Sequence, residues 1–212
     1  METSKVVRMG GTAGILAAVL WVVSSLVHPL SENLADVASG RWIPAHVGYM
    51  VALCLTAVLL VGWHLRQAER VGTAGAVGLI TALSGIVLTA GSIALESFGA
   101  RVLASRAPVL VTGGTHAPFF QTGLVSGYTL VSGLVTLAGF LVYAVVTWRA
   151  GVLPRWAGVL VTVGLVLAAG VPEGVLPVVG FVLIGVGFLW LGTALRRTEA
   201  GVVRSGVEAT LA

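Results

Sequence analysis

Cysteine and lysine are almost missing from this chain, with one of each, Cys54 and Lys5, in 212 residues. A lone thiol excludes an intramolecular disulfide, a CxxC redox pair and a zinc knuckle. Charge of either sign is scarce, at 9% of residues. Several catalytic signatures are absent as well. There is no HExxH, no Glu-x-x-His pair and no Ser-His-Asp spacing that recommends a hydrolase. GVG at 185–187 lies inside an apolar run with no strand-to-helix phosphate loop around it, so it reads as helix packing and not as a nucleotide site. A net charge of +4 and a pI near 10 raise nucleic acid as a partner. The basic residues are scattered at the ends of apolar runs, however, and form neither a patch nor an RNA-binding motif, which excludes it.

What the chain has instead is hydrocarbon. Hydrophobic residues make up 57% and the mean hydropathy is +1.03, values of a polytopic membrane protein whose main partner is the lipid bilayer. The stretch from Pro44 to Arg66 holds no charge before its last residue and carries His46 and His64, 18 residues apart. That spacing is roughly 27 Å of helix, close to the hydrocarbon thickness, so the two histidines belong at opposite interfaces. Six spans are predicted, near 9–28, 44–65, 72–96, 120–147, 154–171 and 174–195, in one all-α domain covering 1–197, with a polar tail at 198–212. The first follows Lys5 and Arg8 in the manner of a signal peptide, but its apolar run exceeds the usual length of such a region. Val171 to Gly174 predicts a tight hairpin between the last two spans.

Arg66, Arg70, Arg149, Arg155, Lys5, Arg8, Arg196, Arg197 and Arg204 fall on one side of this arrangement, and only Arg41, Arg101 and Arg106 on the other. The positive-inside rule then places both termini in the cytoplasm and the chain in an inner membrane. Trp63, Trp148, Trp156 and Trp190 are expected in an inner aromatic belt, and Trp42 at the outer surface. One lysine against eleven arginines, with abundant Ala, Gly and Val, is what a GC-rich bacterial coding sequence gives.

Small and polar residues form stripes on three spans: Gly78, Ala82, Gly85, Thr89, Ser92 and Glu96 on the third, Thr122, Ser126, Thr129, Gly133 and Thr136 on the fourth, and Gly14, Ala18, Trp21, Ser25 and His28 on the first. Steps of 3 and 4 put each set on one helical face. Such stripes let helices approach closely in lipid, so a structural subunit is expected to tolerate alanine at His28, His46 and Glu96 and to fail when Gly85 or Gly133 is enlarged, and a ligand-binding protein or enzyme to do the opposite. Two stripes end in an ionisable residue, Glu96 and His28, at the same outer end as the two long loops at 28–43 and 97–119. Ionisable groups at membrane depth face the bundle interior or water.

Those endpoints define the candidate chemistry. His28, His46, Glu96 and His116 form a possible metal set, since histidine with carboxylate suits zinc or iron. His28 with His46 is the pair that could serve a haem as axial ligands. His28, His46, His116 and Gln121 are the candidate ligand-binding residues, with Glu173 behind them. Glu96 is also a candidate acid or base acting with a histidine on a lipid-soluble substrate. Against these stand plainer readings: stripes that only pack, histidines that only hydrogen-bond at the interface, Glu96 paired with Arg101, and a structural subunit without a site. A transporter should show matching halves, and none is visible beyond glycine content.

The segment RAGVLPRWAGVLVTVG, Arg149 to Gly164, resembles the closing hairpin of a group of uncharacterised small bacterial polytopic membrane proteins that share a G-x-LPRW-x-G connection. His28-Pro29 after the first span and Trp42-x-x-x-His46 entering the second resemble the same group. The resemblance implies the membrane fold and brings no activity. Mechanically, Pro154 suits a first helical turn, with Arg155 inside and Trp156 at the interface.

Overall fold

The computed structural model describes residues 3–170 and 173–210, with side chains described through 197. Val171 and Pro172, where the tight link between the last two spans was expected, and the side chains of the tail lie outside the described residues. The described residues are helical with no strand. α1 is Thr3–Val27, α2 Leu34–Ala38, α3 Trp42–Ala94, α4 Ala100–Arg106, α5 Pro118–Gln121, α6 Gly123–Ala150, α7 Arg155–Gly170 and α8 Val175–Thr210. A π-helical turn, Leu95–Gly99, joins α3 to α4. By length and composition four helical stretches can cross a membrane: Thr3–Val27, Trp42–Arg106, Gly123–Ala150 and Val175–Arg197; α7 is apolar but shorter.

The second of these stretches is folded. The 53 residues of α3 would extend roughly 80 Å if straight, more than twice the roughly 30 Å of a hydrocarbon core. At Gly72 the backbone takes φ 50°, ψ −144°, a conformation open to glycine and strained for any other residue. The helix turns back there, and its ends meet: the Trp42 indole Nε1 donates to the Ser97 carbonyl at 3.1 Å. Two antiparallel arms result, 42–71 and 73–94.

Around the bundle the helices pack as a closed ring: α1 on α3, α3 on α6, α6 on α7, α7 on α8 and α8 back on α1. Glycines set the approach. A Cβ on Gly10 would lie 2.7 Å from the Gly62 Cα, one on Gly85 2.5 Å from the Thr136 Cα, and one on Gly164 2.5 Å from the Gly180 carbonyl oxygen. The stripes of the first and third spans are therefore packing faces. Of the stripe on the fourth, only Thr136 lies in the contact with α3. α6 meets the second arm of α3 through Tyr128, Ser132, Thr136 and Gly139, while Gly133 has nothing within 4 Å of a Cβ built on it. The expectation for Gly133 is thus corrected: it lies one step round the helix, in open space.

The first turns of α1, Arg196 of α8, the Gly72 bend and the Gly151 turn (φ 64°) share one end, where the Arg196 side chain lies against Gly11; we call it the terminal end. The opposite loop end carries 28–41 and 97–121. The core near the terminal end is filled by Leu59, Leu60, Trp63, Tyr143, Phe188, Leu191 and Leu195. Two tryptophan expectations change. Trp63 and Trp42 are both fully buried, so neither is an interface anchor. Each indole has an internal acceptor, Thr147 Oγ1 for Trp63 at 2.9 Å and Ser97 O for Trp42, which lets so large a ring go inside. Trp148, Trp156 and Trp190 remain exposed.

Candidate metal centre

At the loop end, α1 stops because Pro29 disfavours the helical conformation at the residue before it. His28, whose amide makes the last helical bond to Ser24 O at 2.8 Å, is therefore left at the tip. His46 lies one turn into α3. Glu96 sits in the π-helical turn, where one extra residue per turn rotates the following side chains relative to a continuing α-helix; such turns are frequent at functional sites. These three segments bring one ligand atom each from His28, His46 and Glu96 within 4.8 Å of one another. The His46 Nε2 is 3.5 Å from Glu96 Oε1, with His46 2% and Glu96 30% exposed.

The remaining ring nitrogens decide the chemistry. His46 Nδ1 lies 2.7 Å from the Trp42 carbonyl and His28 Nδ1 2.6 Å from the Pro29 carbonyl. A carbonyl only accepts, so both Nδ1 atoms carry hydrogen and donate. In the neutral tautomer that leaves each Nε2 with its lone pair bare, the arrangement in which a backbone carbonyl orients a metal-ligating histidine. Two bare nitrogens beside a carboxylate are mutually repulsive without a cation or protons between them. Ligand atoms within 4.8 Å of one another would close to roughly 3.4 Å apart around one tetrahedral ion at about 2.1 Å.

Trp42 supports the group from both sides, since its carbonyl holds His46 and its indole holds the residue after Glu96. Its ring is 4.3 Å from that of His46 and 5.3 Å from that of His28, centroid to centroid. The two histidine rings are 4.8 Å apart. A haem does not fit between them, because two axial imidazoles stand on opposite faces of the macrocycle and this spacing leaves no slot for it.

Glu32 is the residue that sequence reasoning missed. It is 9% exposed and its carboxyl hydrogen-bonds Glu96. Burial, then the negative charges of Glu96 and Glu173, push its pKa up to about 10, so it holds a proton at neutral pH. Only its place four residues after His28 could have drawn attention to it. The other expected residues are placed less centrally. His116 is exposed and not part of the cluster. Gln121 lines the cavity beside the cluster, and its amide donates to the Thr115 carbonyl at 2.8 Å. Glu173 accepts from the Thr115 amide at 3.0 Å, tying loop 97–121 to the start of α8. Arg101 does not neutralise Glu96; its guanidinium donates to the Val37 carbonyl at 2.8 Å, at the end of α2.

No protein-family model matches the chain, and no curated protein or solved structure matches it. The geometry alone carries the functional reading.

Proposed function

We propose that this chain is an integral membrane protein that binds one divalent transition-metal ion through His28, His46 and Glu96, with the remaining coordination positions open to the adjoining cavity. The observation that carries the reading is the pair of Nδ1–H donations to backbone carbonyls, which leaves each Nε2 lone pair uncommitted in a group whose ligand atoms lie within 4.8 Å of one another. Two histidines and a carboxylate suit zinc, with water in the fourth position, or iron(II) in a facial triad with open sites. Either ion would polarise an oxygen of a bound molecule.

The proposal takes the two arms of α3 as two spans and α7 with α8 as a hairpin, which gives six crossings in all. It puts both termini and the arginine-rich turns in the cytoplasm and the metal centre at the outer face of an inner membrane. The resemblance to the LPRW group acquires a chemical content on this view. His28-Pro29 and Trp42-x-x-x-His46, two of the motifs it rests on, are the residues that build the centre.

Detergent-purified protein, stripped with a chelator and titrated with zinc, should take up one ion per chain. Cobalt in its place should give the visible absorption of a low-symmetry site. His28→Ala, His46→Ala and Glu96→Ala should each abolish stoichiometric uptake, and His116→Ala should leave it unchanged. Absence of uptake by the folded parent protein would overturn the reading.

A further inference from the structure

The metal centre closes one end of a cavity of about 730 Å³, inside the range of roughly 300 to 1,000 Å³ common to small-molecule sites. Along α6 its wall runs from Val125 to Leu137, roughly 18 Å of helix, so the space reaches from the loop end deep into the span. Pro177, Val178 and Phe181 of α8 form the back.

How this space is reached follows from the way α6 and α7 meet. Near the terminal end they touch: the Thr162 hydroxyl donates to the Phe140 carbonyl at 3.4 Å, and a Cβ on Gly158 would lie 3.0 Å from the Ala144 Cα. Towards the loop end they part. Gly133 on α6 and Gly170 on α7 have nothing within 4 Å of a built Cβ. Leu130, Leu134 and Val166, which line the cavity, are 62%, 56% and 50% exposed. Large apolar side chains exposed at the rim of an opening between two membrane helices are in contact with lipid, so the mouth is lateral.

Charge then selects what can lie inside. Among the described residues no lysine or arginine lines the cavity, whereas Glu32 and Glu96 do. Apart from the proposed ion, a phosphate or carboxylate head has no cation to meet there, and it would lie against the carboxyl groups of Glu32 and Glu96, a cost that an uncharged head does not carry.

We propose that the cavity admits an uncharged lipid sideways from the bilayer through the gap between α6 and α7, with its chain along Leu130, Leu134, Leu137 and Phe181 and its hydroxyl or carbonyl head at the open side of the metal centre. This rests on the metal reading, because the ion is the partner that the oxygen of the head would otherwise lack.

The test uses the full chain in phospholipid nanodiscs, with zinc content measured on the same sample. The probe is octadecanol carrying a diazirine in its chain, and the competitors are unlabelled octadecanol and octadecyl phosphate. After illumination, peptide mass spectrometry should place the label on 130–137 and 166–170. Octadecanol should compete and the phosphate ester should not. Gly133→Trp, which fills open space at the mouth, should cut labelling by about tenfold, a usual effect of reshaping an apolar pocket, with zinc content unchanged. Gly127→Trp, also in open space but off the cavity lining, should label like the parent. Label spread evenly over lipid-facing residues, equal competition by the phosphate ester, or a native dimer that covers the α6–α7 face and takes no label would each overturn the inference. Zinc retained without focused labelling removes the lipid and leaves the metal. Focused labelling without zinc keeps the lateral cavity and removes the ion as partner of the head.

Discussion

The indole of Trp42 donates to the carbonyl of Ser97 across 55 positions of sequence, and this single bond clasps the two arms of α3 beside the residue that presents Glu96. Trp42→Phe keeps most of the ring and deletes the donor. The Ser97 carbonyl then keeps only the backbone amide of Ala100, and the π-helical turn loses its tie to the first arm. Zinc affinity should fall roughly 10- to 100-fold, the usual effect of removing support behind a metal ligand. Isothermal titration of the stripped variant checks this, and unchanged affinity would show that the turn holds Glu96 by itself.

Gly85 and Gly133 look alike in sequence and should behave oppositely. Gly85→Val drives a Cβ to 2.5 Å from the backbone of Thr136, so α3 and α6 must separate. The cost should be about 2 to 3 kcal/mol, in the range of overpacked cores. Gly133→Val points into open space and should shift stability by less than about 0.5 kcal/mol. Thermal unfolding of the two variants in one detergent decides the matter.

Near the terminal end, Thr147 Oγ1 accepts from Trp63 Nε1 at 2.9 Å and from Gln67 Nε2 at 3.1 Å. All three side chains are buried. Thr147→Val preserves the shape and strands two donors. Interhelical hydrogen bonds in membranes are worth about 0.6 kcal/mol on average and up to about 1.7, so a loss of about 1 to 2 kcal/mol is expected, with zinc uptake intact. A variant as stable as the parent would mean that water satisfies both donors.

Orientation can be read with one thiol. Cys54 is the single native cysteine and is exposed on the bundle, so labelling starts from Cys54→Ala. Thr112→Cys lies exposed in loop 97–121. In intact cells it should react with a membrane-impermeant maleimide. Protection until the cells are lysed would reverse the orientation.

Helices were legible in the sequence because lipid demands long uninterrupted apolar runs, and such runs survive any detail of packing. Gly72 shows where that reading stops. The expected span does begin there, but no polar loop precedes it, because Gly72 at positive φ lets the chain reverse directly between the two arms. For the centre, His28, His46 and Glu96 were found from their depth at helix ends. Depth says nothing of azimuth, so His116 looked equivalent to them although the loop turns it outward. Glu32 escaped for a related reason. A carboxylate in a polar loop reads as solvated, and its burial depends on 28–41 folding down over Glu96, a tertiary contact with no local signature. Gly133 failed by one helical step, about 100°, the difference between facing α3 and facing the gap.

All three proposed ligands lie between positions 28 and 96, at the tip of α1, in the first turns of α3 and in the π-helical turn after it, whereas about half of the cavity lining belongs to α6, α7 and α8. On the proposed reading the amino-terminal half supplies every ligand, and the carboxy-terminal half much of the wall around a bound chain. Substitutions after position 123 can widen, narrow or re-polarise the compartment without moving a coordinating atom.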